Sequence, residues 1–193
     1  MEIRNFKEDL KNSNNPNLLK NWERIFRLKF GDDCEISWKN EKNIQIGMGS
    51  DVTIKTKKGR RYSIELKTRN KSCYKNLFWI MEIISHIYDK EDKTTRNHLH
   101  QKEGWIYTTT AEYIFHGTLN DEGTNLTEII FYSLTPFKTE KWKSEFNKYE
   151  NLWLPTLFPN GNFQLTLNKL VPVEIIKKDA LEFWEWSEDE SNN

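Results

Sequence analysis

The sequence predicts an α/β fold. Three observations carry that expectation: apolar residues at helical spacing between positions 14 and 31, two strand-like runs on either side of a glycine turn, and a long apolar run from Tyr74 to Tyr88 followed by a short interior strand. Read in order they give a helix, three antiparallel strands, a second helix and a fourth strand, an αβββαβ core over roughly residues 14 to 110. The remainder reads as an α+β extension over roughly residues 111 to 186. No linker rich in Pro, Gly or Ser divides the 193 residues, so a single domain is expected.

Each element has its own signal. Leu18, Leu19, Trp22, Ile25, Phe26 and Phe30 recur at the spacing of one helix face; Asn14 or Asn15 with Pro16 opens that helix, and Gly31 closes it. Cys34 to Trp38 reads as a first strand. Tyr74 to Tyr88 is apolar nearly all round, as a buried helix would be. A polar connection from Asp89 to Glu103 leads to an interior strand over Gly104 to Thr109. Ala111 to Leu119 and Glu128 to Leu134 read as strands, or as a strand after a short helix, joined by the turn-rich segment 120–125. Thr139 to Tyr149, opened by Pro136 and carrying Trp142 and Phe146, reads as a helix, and Phe163 to Leu167 alternates as a strand. Ser187 to Asn193 is expected to fray as an acidic tail.

The chemistry concentrates in the hairpin. Strand side chains alternate faces, so Asp51, Thr53 and Lys55 share one face, as do Ser63, Glu65, Lys67 and Arg69. A two-residue loop at Lys58-Gly59 would set Asp51 opposite Leu66 and mix polar with apolar residues. A three-residue loop of Lys57, Lys58 and Gly59, with the glycine left-handed, sets Asp51 opposite Glu65 and Val52 opposite Ile64. Two carboxylates directly opposite one another repel unless a positive charge lies between them. A divalent cation would supply it, and hard oxygen donors suit Mg²⁺, with Mn²⁺ as a substitute. Lys67 on the same face would orient a nucleophile or stabilise a phosphoryl transition state.

Asp51, then thirteen residues, then Glu65-Leu66-Lys67 resembles the motif of the PD-(D/E)XK nuclease superfamily, with Ser50 where the name implies proline. The resemblance implies a restriction-endonuclease-like fold: the αβββαβ core with a mixed central sheet flanked by helices. It implies Mg²⁺ held by Asp51, Glu65 and the main-chain carbonyl of Leu66, and Lys67 as the catalytic lysine. A glutamate of the first helix serves many relatives as an additional ligand. Here that is Glu23, on the stripe of Leu19, Phe26 and Phe30 and four residues before Arg27, with which it would otherwise pair. The expected activity is hydrolysis of DNA phosphodiester bonds, endonucleolytic before exonucleolytic, by a protein that as a homodimer would cut both strands. The alternative is a non-catalytic nucleic-acid-binding or assembly protein with the same fold.

The whole chain carries 29 basic and 29 acidic residues, so no global field argues for nucleic acid. Between Asp51 and Lys75, however, nine basic residues stand against two acids. Lys55, Lys57, Lys58, Arg60, Arg69, Lys71 and Lys75 are the expected phosphate contacts, with Asn76 beside them. His98 and His100 read as surface-loop residues. Glu82 and His86, four apart on the second helix, read as a satisfied core pair. Trp142, Trp153, Trp184 and Trp186 read as packing rather than base-stacking residues. Cys34 and Cys73 lack metal-ligand spacing, and no signal peptide or membrane span is evident, so an intracellular, cytoplasmic protein is expected.

Overall fold

The computed structural model describes residues 4–5, 15–39, 50–70, 78–88, 98–157 and 163–188. In chain order these form β1 (Arg4–Asn5), α1 (Pro16–Phe30), β2 (Glu35–Trp38), β3 (Val52–Lys55), β4 (Arg61–Asn70), β5 (Phe78–Tyr88), β6 (His98–Glu103) and α2 (Trp105–Thr108). Then follow β7 (Tyr113–Leu119), β8 (Leu126–Ser133), α3 (Glu140–Glu145) between 3₁₀ turns at Thr135–Lys138 and Phe146–Lys148, β9 (Asn151–Leu157), β10 (Phe163–Pro172), α4 (Val173–Asp179) and β11 (Phe183–Ser187).

Helix α1 begins and ends where its sequence dictates. The Asn15 side chain accepts from the Asn17 N–H at 3.0 Å, Pro16 occupies the first turn, and Gly31 at φ 95° donates its N–H to the Arg27 carbonyl at 2.8 Å. Its apolar stripe of Leu18, Trp22, Ile25 and Phe26 is buried on a mixed six-stranded sheet ordered β11-β8-β7-β4-β3-β2. Only the central pair β4 and β7 is parallel; every other neighbour is antiparallel. Phe115 of β7 sits at the middle of this core, its ring 5.4 Å from Phe26 and 4.7 Å from Phe131. The opposite face carries a second core in which Ile114 and Tyr132 meet Ile106, Phe137, Trp142, Phe146, Val171 and Ile176. Strand β7 is therefore buried on both sides, which its near-continuous apolar run reflects.

The hairpin of β3 and β4 has the expected register. Val52 faces Ile64 and Lys55 faces Arg61. Thr56 N donates to Arg60 O at 2.9 Å, Gly59 N donates to Thr56 O at 2.8 Å, and Gly59 has φ 81°. The loop is the three residues Lys57, Lys58 and Gly59. A Cβ at Gly59 meets no atom, so the substitution Gly59→Ala isolates the backbone penalty of the left-handed conformation. It is expected to cost about 1 kcal/mol, read as a lower urea midpoint at unchanged slope; a midpoint equal to wild type would show that the turn changes type freely.

Two expected elements differ. The run expected as a helix over Tyr74 to Tyr88 contains strand β5 from Phe78, while residues 71–77 lie outside the described residues. An all-apolar run rich in isoleucine and aromatics suits a buried strand as well as a buried helix, and hydrophobic periodicity does not separate them. The strand expected over Gly104 to Thr109 is the single turn α2. The strand parallel to β4 comes later, as β7. Within the connection from Asp89 to Glu103, residues 98–103 form β6, so His98 and His100 lie on a strand rather than a loop.

Strands from the expected extension lie in both sheets. Strand β5 pairs antiparallel with β10 in a second sheet ordered β1-β9-β10-β5-β6, and β8 and β11 complete the first sheet. Ser187 ends β11 instead of starting the tail, and residues 189–193 lie outside the described residues. Among the described residues no helix is long and apolar enough to cross a membrane.

Candidate active site

Asp51 immediately precedes β3, and its N–H donates to Ile64 O at 2.8 Å; since Ile64 is already the partner of Val52, Asp51 stands beside Val52 just outside the regular ladder rather than squarely opposite Glu65 as expected. Backbone groups along β4 alternate between neighbours. Ser63 O accepts from Glu112 on the β7 side, and Ile64 O accepts from Asp51 on the β3 side. The Leu66 N–H and C=O therefore both turn towards β3, beyond its end, and the Asp51 carboxylate occupies that position, accepting the Leu66 N–H at 2.7 Å. One residue further, Lys67 Nζ donates to Glu65 Oε1 at 2.6 Å. Asp51, Glu65, the Leu66 carbonyl and Lys67 are thus gathered at one place.

The electrostatics follow from burial. Glu65 is only 8% exposed. Burial and then the Glu65 charge push Asp51 up to about 6, against the pull of Lys67, the Leu66 N–H and Lys39. For Lys67, burial pulls the pKa down, but the charges of Glu65, Asp51 and Glu82 outweigh it and leave the amine above its ordinary value. The site therefore holds a protonated lysine beside two carboxylates that resist being ionised together.

Sequence reasoning did not bring five neighbours to this site. Lys39 N donates to Asp51 O at 3.0 Å, so Lys39 continues β2 opposite Asp51 and shares its face. Trp105 of α2 places its ring 5.1 Å from Lys67 Nζ. Lys138 Nζ donates to Thr109 O at 2.7 Å and to Ala111 O at 2.9 Å; burial lowers its pKa while Glu65 and Glu112 raise it. Glu82, expected in a helical core pair with His86, lies on strand β5 and its charge reaches Lys67. His116, the β7 partner of Lys67 in the register, is 2% exposed; burial, Arg69 and Lys67 hold it well below its ordinary value, so it is uncharged.

Glu23 is on the α1 face of the sheet, where its carboxylate accepts from Trp38 Nε1 at 3.2 Å. Lys55 pairs with Glu35 at 2.8 Å, Lys57 with Asp33 at 2.8 Å, and Arg60 with Glu182 at 3.0 Å and the Tyr113 hydroxyl at 2.8 Å. Lys58 is exposed at the turn. Lys57 and Lys58 stand six and seven residues from Asp51, about 20 Å along an extended chain. Arg69, on the Lys67 face, lines a small cavity with His116, Thr118 and Glu128. Lys71, Lys75, Asn76 and Cys73 lie outside the described residues, as do the side chains of His86, His98 and His100.

Among the described residues no three His, Cys, Asp or Glu side chains gather to hold a metal ion. The donors are two carboxylates and a main-chain carbonyl. That set fits Mg²⁺, which takes one or two carboxylates and keeps several waters, and the burial and Glu65 charge that together raise Asp51 are what a bound cation would offset. Compared with known proteins, the chain matches no protein-family model, no curated protein and no solved structure.

Proposed function

We propose that the protein is a Mg²⁺-dependent nuclease that hydrolyses DNA phosphodiester bonds. The observation that carries this reading is the convergence of the Asp51 carboxylate on the Leu66 N–H with Glu65 and its partner Lys67, at the end of β3. The order of elements supports it: a helix, three antiparallel strands and a fourth strand parallel to the third, with the β5–β6 hairpin in the crossover where the resemblance implies a helix.

Bound Mg²⁺ supplies a water of lowered pKa and neutralises charge on the scissile phosphate. Asp51, Glu65 and the Leu66 carbonyl hold that cation. Lys67 keeps its proton and donates towards the phosphate oxygens or the attacking oxygen, in a half-buried position where a fixed charge acts more strongly than in water. Lys39, beside Asp51, is nearer the reacting phosphate than Lys57 and Lys58 at the far end of the hairpin, where Lys57 is paired with Asp33.

The test is incubation of the purified protein with duplex, single-stranded and branched DNA and with RNA, in Mg²⁺, Mn²⁺ or chelator. DNA cleavage in Mg²⁺ that stops with chelator is expected. Salt-dependent binding without turnover, indifferent to Mg²⁺ and to loss of Glu65, would replace the enzyme by a nucleic-acid-binding protein.

A further inference from the structure

We infer that Trp105 is the positioning residue for Lys67; the inference deepens the nuclease reading and rests on it for the role of the lysine. Glu65 fixes the distance of Nζ to one oxygen at 2.6 Å, but 38% of the Lys67 side chain remains exposed. A lysine has four rotatable side-chain bonds, so one ion pair leaves the direction of its remaining N–H groups open. The Trp105 ring, 5.1 Å from Nζ, closes one side. An aromatic face attracts an ammonium and excludes the rotamers that would swing it away from the carboxylates.

Trp105 is itself held in place. Gly104, the residue before it, donates its N–H to Ile83 O at 3.0 Å, and a Cβ there would stand 2.3 Å from Glu82 O, so only glycine lets the chain lie this close to β5. Ile83 is the extra residue of a β-bulge: Leu167 pairs with Ile84 and Asn168 with Glu82, leaving Ile83 without an opposite residue. Bulges re-aim the side chains around them, and this one presents the carbonyl that anchors Gly104. The indole also meets His116, the β7 partner of Lys67, at 6.5 Å between ring centroids, an imidazole that burial keeps uncharged and that therefore does not repel Lys67. Among the described residues, the charges that act on Lys67 are those of Glu65, Asp51 and Glu82.

Trp105→Leu and Trp105→Phe separate this role from simple packing, because phenylalanine keeps an aromatic face and leucine does not. In metal-free protein, acylation of Lys67 by an amine-reactive reagent, read by peptide mass spectrometry against exposed Lys58, is expected to be several-fold faster in Trp105→Leu and close to wild type in Trp105→Phe. Single-turnover cleavage is expected to fall about tenfold in Trp105→Leu at unchanged KM, with most of the rate retained in Trp105→Phe. Unchanged Lys67 labelling in Trp105→Leu overturns the inference, as does an equal loss of rate in both variants. If wild type cuts no nucleic acid the nuclease reading fails, while the labelling comparison still decides whether Trp105 holds Lys67.

Discussion

Replacing Lys67 with alanine is expected to reduce single-turnover cleavage by about a thousandfold or more, with nucleic-acid binding nearly unchanged. Lys67 Nζ is 2.6 Å from a glutamate that is almost wholly buried, and it is the cation that most strongly opposes the elevation of Asp51. Removing it has two separable consequences. The first is loss of a fixed N–H donor where negative charge develops in the transition state. The second is a pair of facing carboxylates with less compensation, which bind a proton more readily and a divalent cation less readily at low metal. Raising Mg²⁺ corrects the second and not the first, so the residual defect at saturating Mg²⁺ measures the catalytic contribution. Full rescue by Mg²⁺ would reduce Lys67 to a counter-charge, and wild-type cleavage at all Mg²⁺ concentrations would remove it from the site. Arginine is not a conservative test, because a planar guanidinium presents its donors in a fork that one carboxylate oxygen at 2.6 Å does not match.

The part of the site on the hairpin was legible because three local facts sufficed: alternation, a loop of three residues, and a glycine able to take φ 81°. No long-range information enters that argument. Lys39 follows from the same alternation once Trp38 is known to face Val52, but residues 40–49 separate β2 from β3, and a connection of that length does not fix a register. Trp105, Lys138 and Glu82 arrive from elements whose placement is tertiary. Lys138 is an ordinary lysine in sequence, and only the fold turns its amine onto the carbonyls of Thr109 and Ala111. The basic cluster shows the opposite error. Nine cations within 25 residues read as a field, yet Asp33, Glu35 and Glu182, distant in sequence, neutralise three of them.

For the fold, helix α1 was legible because Asn15, Pro16 and Gly31 mark its ends independently of its apolar stripe. The segment from Phe78 to Tyr88 carries no such marks. With apolar residues on every side, its length suits either element, and pairing with β10 over ten positions decides for the strand. The same choice changes the face of Glu82. On a helix it would share a side with His86 in the core; on a strand beside a bulge its charge reaches Lys67. Gly104-Trp105 reads as the start of an interior strand until Gly104 is seen to be packed against the β5 backbone, a contact between residues some twenty positions apart that only β5–β6 pairing creates.

Asp51→Asn is expected to abolish Mg²⁺-dependent cleavage and, in the absence of divalent cations, to make the protein more stable. The side-chain oxygen of the introduced asparagine would still accept the Leu66 N–H that Asp51 now accepts at 2.7 Å, so the local hydrogen bond survives while the charge that Glu65 opposes is gone. The sign of the pH dependence follows from the direction of the shift. Asp51 holds its proton more tightly in the folded protein, at about 6, than at its ordinary value of 3.8. Its contribution to stability is therefore fully present below about pH 4 and is lost as pH rises through about 6. A displacement of that size corresponds to about 3 kcal/mol, which partial exposure reduces to about 2 kcal/mol. Wild type should lose that amount relative to Asp51→Asn between pH 4 and pH 8, read by urea unfolding at matched ionic strength. Added Mg²⁺ should narrow the gap from the wild-type side alone, because a ligand that binds only the folded state stabilises it in proportion to occupancy and the variant lacks one of the two carboxylates. Parallel pH profiles for the two proteins would mean that Asp51 and Glu65 do not oppose one another, and a gap indifferent to Mg²⁺ would mean that the pair does not hold the cation on which the proposed chemistry depends.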